Sequence, residues 1–566
     1  MLKEKAKENW WTSLLRRLNR KTPRPAVESI AGSNPFLERT IEHWLGSVNE
    51  LGYQLPFCQL LLSEGFTVIH NSKQNAFEQG KDIIAIAPDG VPCGFQLKGN
   101  NIPNKRWRDE VKGEIEALRD LTIVHPSINK SARHHSYLVT NGELEDTVRF
   151  EIENLNGGKW KDAPLLVVTY GELLERFIRI SGGFAPQKIK DYKSFLDLYF
   201  SDGRELVDEK EFSEFITDIL RLDDDRLSKE ERKRSISAGV LFTGYLISIF
   251  KKQENQVSIL QTLSLLSAHI LAVAERYKLS EKYWLDSFCI VWNEMMLAGE
   301  HLQSEINTDG LANVANSMFD GDLGIYRKNL AVSHLLAYKT AQLIEGDPRW
   351  KDIVNDAFFL KLKDSLKVWG EAALFPFILV FFLTKKVAEE GKLAGDWYEP
   401  IYAAIKLILQ FNGRRSETGM VSPYYGIETI IKRRFGLLED PIDENFSGQS
   451  FLLGSLIDIL ARNGKRNELE AFWREITYIT QASFIPEETW EHFLWRSDKG
   501  ENKSIYPKQT QSWGELVREA NRTNLEQVPT VIQNHPYFLP FFLLTYPHRI
   551  TSNYSKFLAD KIDKSV

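Results

Sequence analysis

The chain has 566 residues, more than one hydrophobic core usually supports, so two or three domains are expected. Its composition, 43% hydrophobic and 26% charged, is typical of a soluble globular protein and excludes the disordered and fibrous classes. The formal net charge of -6 excludes a protein that attracts nucleic acid over its whole surface, so any such binding requires local basic patches.

The cysteines and apolar runs bear on the compartment. Cys58, Cys93 and Cys289 lie far apart and match neither a disulfide framework nor a zinc-ligand spacing, which favours a reducing, cytoplasmic location. The N-terminus lacks the apolar segment of a signal peptide. The longest apolar run, residues 372–383, is too short to cross a bilayer, which takes about 20 residues. It predicts a buried helix, with membrane insertion as the alternative.

Residues 1–34 predict a basic arm and a linker. Apolar residues recur at helical spacing over residues 7–19 with bases opposite them, which indicates a short amphipathic helix. This helix could pack on its own chain or on a second copy, or it could bind phosphates or a membrane surface. Residues 21–34 are rich in Pro, Ser and Gly and are typical of a linker.

Residues 35–182 predict a layered α/β domain, because strand and helix patterns alternate along them. Strands are expected at residues 67–70, 82–87, 94–98, 136–140 and 164–169. Helices are expected at residues 35–51, 55–64, 109–121, 145–153 and 171–180. A turn at 88–90 should join the second and third strands as a hairpin.

Residues 183–566 predict a large all-α domain. Two subdomains and stacked helical hairpins are both compatible with this prediction. No fixed repeat period is evident. Long amphipathic segments follow one another, at residues 212–220, 235–250, 257–277, 282–298, 328–344, 350–368, 397–411, 450–461 and 467–479.

The hairpin of residues 82–98 brings three chemically active side chains together. Side chains alternate along a strand, so Asp82 at the start of one strand and Gln96 and Lys98 on its partner should face the same side. Magnesium, or manganese in its place, takes oxygen ligands, which the Asp82 carboxylate, the Gln96 amide and the Leu97 main-chain carbonyl can provide. Lys98 would orient the attacking water or offset charge growing on a phosphate.

These residues resemble the metal site of the PD-(D/E)XK nucleases, and within them the Mrr-like branch of restriction endonucleases. The resemblance rests on Gly80, on Asp82 and on the run Gln96-Leu97-Lys98-Gly99, with further support from residues 138–144 and 165–174. It covers residues 35–180. It implies a restriction-endonuclease-like fold, a central mixed sheet flanked by helices, and a magnesium-dependent endonuclease that acts on double-stranded DNA as a dimer.

The resemblance also implies further site residues. In this family, an acid or glutamine on the helix before the first strand often adds a ligand, which points to Gln54, with Glu50 as its neighbour. Glu78 lies four residues before Asp82, where an acid often occurs. For each of these residues, a solvated or capping side chain is the alternative.

Residues 105–108 form a basic patch directly after Lys98. Lys105, Arg106 and Arg108 could contact phosphates, and Trp107 could stack on a base or sugar. The alternative is an exposed loop whose tryptophan packs against the next helix.

The sequence as a whole predicts a nuclease joined to a helical domain that senses a trigger or partner. A role as the effector of a bacterial antiphage or restriction-type defence system is what the resemblance implies. Three alternatives remain: a nuclease fold that binds nucleic acid without cleaving it, an α/β domain in which Asp82 caps a turn and Lys98 is a surface charge, and an interaction protein whose helical part acts alone.

Overall fold

The computed structural model of this chain describes fourteen stretches of sequence. They are residues 35–71, 81–123, 128, 134–182, 195–199, 201, 203–309, 322–353, 368–390, 397–414, 419–426, 448–494, 501–505 and 511–564. The predicted basic arm and linker, residues 1–34, and the predicted site residue Glu78 lie outside them.

Residues 35–182, hereafter the α/β region, contain a five-stranded mixed sheet. The strands stand in the order β1-β2-β3-β4-β5. The first three strands are antiparallel neighbours, while β3-β4 and β4-β5 are parallel pairs. The strands are β1 Thr67–Asn71, β2 Ile83–Ile86, β3 Pro92–Lys98, β4 His135–Thr140 and β5 Leu165–Val168. The mixed sheet flanked by helices is therefore confirmed.

Five helices accompany this sheet. They are α1 Pro35–Ser47, α2 Glu50–Ser63, α3, α4 Asp146–Gly157 and α5 Tyr170–Gly182. Helix α3 is continuous from residue 104 to residue 120 and consists of Asn104–Arg106, the π-helical turn Trp107–Val111 and Lys112–Asp120. Helix α2 begins at Glu50 because the side chain of Asn49 accepts the Gly52 amide and caps it. This start is five residues earlier than the sequence pattern predicts.

The two faces of the sheet belong to different cores. Phe95 and Leu97 of β3 point into a large core that also contains α1, α2 and α5. Leu138 of β4 and Leu165 of β5 point to the other face, where they pack with buried residues of α3 and α4. Helices thus cover the sheet on both sides, in three layers.

The remaining described residues, hereafter the helical region, are dominated by helices. They are α6 Glu209–Leu220, α7 Lys229–Lys252, α8 Gln256–Arg276, α9 Leu285–Asp309, α10 Asp322–Glu345, α11 Phe375–Glu389, α12 Glu399–Asn412, α13 Leu453–Arg462, α14 Arg466–Ile476, α15 Trp513–Ala520, α16 Thr530–Asn534, α17 Leu539–Thr545 and α18 Ser552–Lys564. The predicted helix at residues 350–368 is described only as the short 3-10 helix Pro348–Ile353, beyond which residues 354–367 lie outside the described part.

The prediction of a large, predominantly helical region is confirmed, but the region is not purely α-helical. Strands β6 Gln449–Ser450, β7 Thr480–Ile485 and β8 Glu501–Ile505 form a small second sheet. Strand β7 pairs parallel to β6 and antiparallel to β8. The two-residue β6 is too short to show any alternation of polar and apolar side chains, and its partner lies about thirty residues further along the chain, so no local pattern signals the pairing.

Helix α2 joins the two regions. The large core runs without interruption from α1 into the helical region. A Cβ atom on Gly244 of α7 would lie 2.7 Å from Cγ of Pro56 in α2, so the two helices touch at their backbones. Lys251 of α7 donates a hydrogen bond to the Leu51 carbonyl at 2.9 Å. The helix that carries Glu50 and Gln54 is therefore sandwiched between the sheet and the helical region.

Two apolar helices bear on the membrane question. The apolar run at residues 372–383 forms most of the buried helix α11, as predicted. Helix α8 is the one described helix that is long and apolar enough to cross a membrane, and its apolar window is wholly buried inside the protein. A fully buried helix of this kind is typical of the core of a soluble protein.

Candidate active site at the end of the central hairpin

Asp82 and Gln96 lie at the same end of the β2-β3 hairpin. Ile83 pairs with Phe95, and Asp82 directly precedes Ile83 while Gln96 directly follows Phe95. The Asp82 amide donates to the Phe95 carbonyl at 2.9 Å, and Asp82 Oδ2 accepts the Leu97 amide at 2.6 Å. The carboxylate is thereby fixed beside the strand that carries Gln96 and Lys98.

Gln96 and Lys98 point to the face of the sheet that α3 covers. They alternate along β3 with Phe95 and Leu97, whose side chains belong to the large core on the opposite face. Both polar residues are nonetheless buried, with Gln96 4% and Lys98 5% exposed. Asp82, Gln96 and Lys98 thus lie at the same end of the β2-β3 hairpin, and their role in one metal site stays a prediction.

The Lys98 ammonium faces three carboxylates. Its Nζ lies 2.6 Å from Glu114 Oε2, 3.7 Å from Glu110 Oε1 and 4.0 Å from Glu50 Oε2. Burial lowers the pKa of Lys98, but the contact with Glu114 and the charge of Glu50 outweigh burial and raise it above the ordinary value. Lys98 is therefore a firmly protonated cation.

Two carboxyl groups of the site are destabilised as anions. Burial raises the pKa of Asp82 to about 7, even though the Leu97 amide opposes the shift. Burial also raises the pKa of Glu50, which Lys98 only partly opposes. A cation near these groups would remove much of the cost of ionising them.

Three oxygen atoms can hold a hard cation at this point. The Asp82 carboxylate is the first. The amide oxygen of Gln96 is buried and has no hydrogen-bond partner among the described residues. Leu97 turns its amide towards Asp82, and its main-chain carbonyl is the third ligand that the sequence predicts. This donor set suits Mg²⁺ or Mn²⁺, which prefer oxygen ligands and retain several waters.

The set contains a single carboxylate among its ligands. Within the described stretches no group of three or more His, Cys, Asp or Glu side chains is arranged to hold a metal ion. A site built on Asp82, an amide and a main-chain carbonyl does not depend on such a group.

The Glu50 carboxylate of α2 reaches Lys98, at 4.0 Å from its Nζ. A Cβ atom on Gly99 would lie 3.1 Å from the Glu50 backbone nitrogen, so the first turn of α2 abuts the end of β3. Gln54 lies one turn further along and is buried. Its predicted role as a ligand stays a prediction.

The basic patch differs from its prediction at two of its four residues. The base-stacking role of Trp107 is wrong, because the ring is 0% exposed and packs in the core beneath α3, as the alternative interpretation holds. Arg106 is turned inward, donating to the Gly99 carbonyl at 2.5 Å and pairing with Glu110 at 3.3 Å. Lys105 and Arg108 are exposed, and their predicted phosphate contacts stay a prediction.

Sequence reasoning missed the supports of the site. Tyr53 of α2 places its hydroxyl 3.0 Å from the Lys98 carbonyl. Asn141 after β4 accepts the Asn100 amide at 2.7 Å and donates to two carbonyls at the end of α1, those of Leu45 and Val48. No local sequence pattern identifies Asn141 as a support, because its partners lie far away along the chain.

Glu110 and Glu114 were also missed, although a signal for them exists. They are acids four residues apart on a helix that follows the proposed Lys98 directly, and such residues share a helix face.

Comparisons of this chain with protein-family models, with curated proteins and with solved structures find no match. The resemblance to the Mrr-like nucleases therefore rests on the motif alone.

Proposed function

We propose that this protein is a metal-dependent endonuclease that hydrolyses phosphodiester bonds, with Asp82, Gln96 and Lys98 in its active site. One observation carries the proposal: Asp82, Gln96 and Lys98 lie at one end of a single hairpin, where the buried Gln96 amide oxygen lacks a partner in the described part of the chain and burial raises the pKa of Asp82. Buried polar groups that lack partners are rare in proteins and are typical of functional sites.

The ligands of the metal would be Asp82, Gln96 and the Leu97 carbonyl. A bound Mg²⁺ or Mn²⁺ supplies Lewis acidity to a phosphate oxygen and lowers the pKa of water at the site. Asp82 supplies negative charge, and its fixed position beside Leu97 orients it. Gln96 adds a neutral oxygen, so the site carries one charge less than a site with two acids.

Lys98 would act on the phosphate side of the reaction. Its charge offsets the negative charge that grows on the phosphorus-bound oxygens as water attacks, and fixed charges in a buried site are especially effective at this. Lys98 is held as a cation, so it orients the attacking water by donating a hydrogen bond rather than by removing a proton.

The resemblance stated above favours double-stranded DNA as the substrate and a homodimer as the active form. Lys105 and Arg108 are exposed residues near the start of α3 and are candidates for phosphate contacts. Recognition of a trigger or partner by the helical region, and a place in antiphage defence, belong to the same proposal.

A plasmid-nicking assay with Mg²⁺ or Mn²⁺ tests the proposal. The natural chain should convert supercoiled plasmid to nicked circles, and chelation of the metal should stop the reaction. Asp82→Ala and Lys98→Ala should each abolish nicking, while Lys159→Ala, which changes an exposed lysine of the same region, should nick normally. Plasmid binding without nicking by the natural chain would refute the enzyme and favour a nucleic-acid-binding protein.

A further inference from the structure

We propose that Glu114 is a positioning residue that holds the Lys98 ammonium in place for the reaction. The inference rests on the proposed nuclease function and adds a residue that lies outside the motif of Asp82, Gln96 and Lys98. It also assigns a task to α3, the helix that covers the polar end of β3.

Glu114 is the carboxylate that fixes the position of Lys98 Nζ. Its Oε2 lies 2.6 Å away, within hydrogen-bond distance, whereas the oxygens of Glu110 and Glu50 lie at 3.7 and 4.0 Å, beyond it. A lysine side chain has four rotatable bonds and loses much rotamer freedom when it is held in one position. Without Glu114, the buried ammonium would shift towards whichever acceptor it could reach.

Glu114 is itself on a rigid support. Trp107, Ile115 and Leu118 of α3 are fully buried in the core beneath the sheet. The π-helical turn Trp107–Val111 widens α3 immediately before the turn that carries Glu114, and such turns are frequent at functional sites. Helix α3 therefore presents Glu114 to Lys98 from a fixed backbone.

The far end of α3 is tied to the strands of the site. Lys81 Nζ donates to the Leu121 carbonyl at 2.8 Å, and Lys81 immediately precedes Asp82. Nε2 of His134, just before β4, lies 2.7 Å from the Leu118 carbonyl. Residues directly before β2 and β4 thus fix the helix that carries Glu114, which is how supporting residues hold a reactive group within a fraction of an ångström.

The experiment compares Glu114→Gln with Glu116→Gln in the full-length chain. Gln keeps the length of the side chain and removes its charge. Glu116 lies on the same helix, and its contact in the structure is with Lys159, at 3.5 Å and exposed to solvent. We expect Glu114→Gln to lower kcat for plasmid nicking about 10- to 100-fold, the usual effect of losing a supporting contact, with KM within about two-fold of the natural value. Glu116→Gln should match the natural chain.

A second readout does not depend on activity. Lys98 and the exposed Lys105 are acetylated in the same sample with a small amine-reactive reagent, and the modified peptides are quantified by mass spectrometry. In the natural chain, Lys98 should react far more slowly than Lys105. In Glu114→Gln the ratio should rise several-fold while the melting temperature stays unchanged, a combination that a merely structural role of Glu114 would not produce.

Each other outcome has a definite meaning. If Glu114→Gln nicks as fast as the natural chain while Asp82→Ala does not nick, this inference is overturned and the proposed function stands. If Glu114→Gln nicks faster, Glu114 blocks Lys98 instead of positioning it, and the inference is again overturned. If the natural chain itself never nicks, the proposed function fails and takes this role with it, even where acetylation shows that the ion pair exists.

Discussion

The α/β region and the helical region bury charge in different ways. In the helical region, two buried acids are paired with largely buried lysines: Lys251 lies 2.6 Å from Glu294, and Lys556 lies 3.2 Å from Asp458. Pairs of this kind neutralise each other, and each contact joins two helices. They are features of a stable scaffold.

The α/β region leaves charge unbalanced at one point. Around Lys98 three carboxylates face one ammonium and the Arg106 guanidinium, which lies 3.3 Å from Glu110, while Asp82 receives one main-chain amide and has a pKa of about 7. The Gln96 amide oxygen adds a further unsatisfied acceptor. This difference indicates that the site around Lys98 and Asp82 lowers the stability of the fold. A bound cation would balance the surplus of negative groups at this site.

Removal of the helical region should have the largest effect. A chain that ends at residue 182 would expose the side of α2 that α7 covers, including Pro56 and the surroundings of Trp44, whose ring lies 4.3 Å from that of Tyr245. We expect this fragment to be unfolded or aggregated when its circular dichroism is followed on heating. A cooperative melting transition in the fragment would show instead that the two regions are independent.

Replacement of Lys251 by Met should destabilise the protein strongly. The change removes the hydrogen bond to Leu51 and leaves the buried Glu294 without its cation. Breaking a buried pair from one side costs about 3–5 kcal/mol of the free energy of unfolding, which denaturant titration measures. Lys252→Met, at the exposed neighbouring lysine, should cost about 0.5 kcal/mol or less. Equal losses of stability in the two variants would show that the Lys251–Glu294 pair is not a stabilising feature. The contrast between this pair and the charges around Lys98 would then not hold.

The substitution Gly142→Ala tests how closely the backbone packs at the end of β3. A Cβ atom there would lie 2.2 Å from the carbonyl carbon of Asn100, so Gly142→Ala must displace the loop after Lys98. We expect a loss of about 1–3 kcal/mol in the free energy of unfolding. Gly113 of α3 has open space around it, so Gly113→Ala should stabilise the helix by about 0.5–1 kcal/mol. A harmless Gly142→Ala would contradict this close contact.

Asp82→Asn should have an effect of opposite sign to that of Lys251→Met. Folded Asp82 keeps its proton up to about pH 7, whereas the ordinary value is 3.8, so ionisation costs the metal-free fold stability as the pH rises between these values. Without metal at pH 8, the variant should be more stable than the natural chain by up to about 4 kcal/mol, because each unit of pKa shift corresponds to about 1.4 kcal/mol. At pH 4 the difference should vanish. A variant less stable at pH 8 would show that Asp82 is an ordinary structural acid.

Much of the α/β region could be predicted from the sequence, since its signals are local. The alternation of polar and apolar residues in residues 94–98 and the turn at 88–90 specify a hairpin. This hairpin places Asp82 and Gln96 at the same end. The small second sheet could not be predicted, because its pairing depends on contacts distant in sequence.

The errors at the site have a physical cause as well. Glu50 is predicted only as the neighbour of Gln54, because the sequence pattern starts a helix at residue 55, yet the Asn49 cap starts α2 at Glu50. Trp107 is predicted to stack because its neighbours are basic, but the short helical turn before it points the ring into the core. The side to which a helix turns its residues is decided by the surface it packs on, which one sequence does not reveal.

The most direct test of the central claim is a crystal structure of the full-length chain grown with Mn²⁺, with the ion located by its anomalous scattering. We expect one anomalous peak about 2 Å from a carboxylate oxygen of Asp82, the amide oxygen of Gln96 and the carbonyl oxygen of Leu97. This is the distance expected for an octahedral cation of this size. A peak elsewhere, or none at this hairpin at millimolar Mn²⁺, would contradict it.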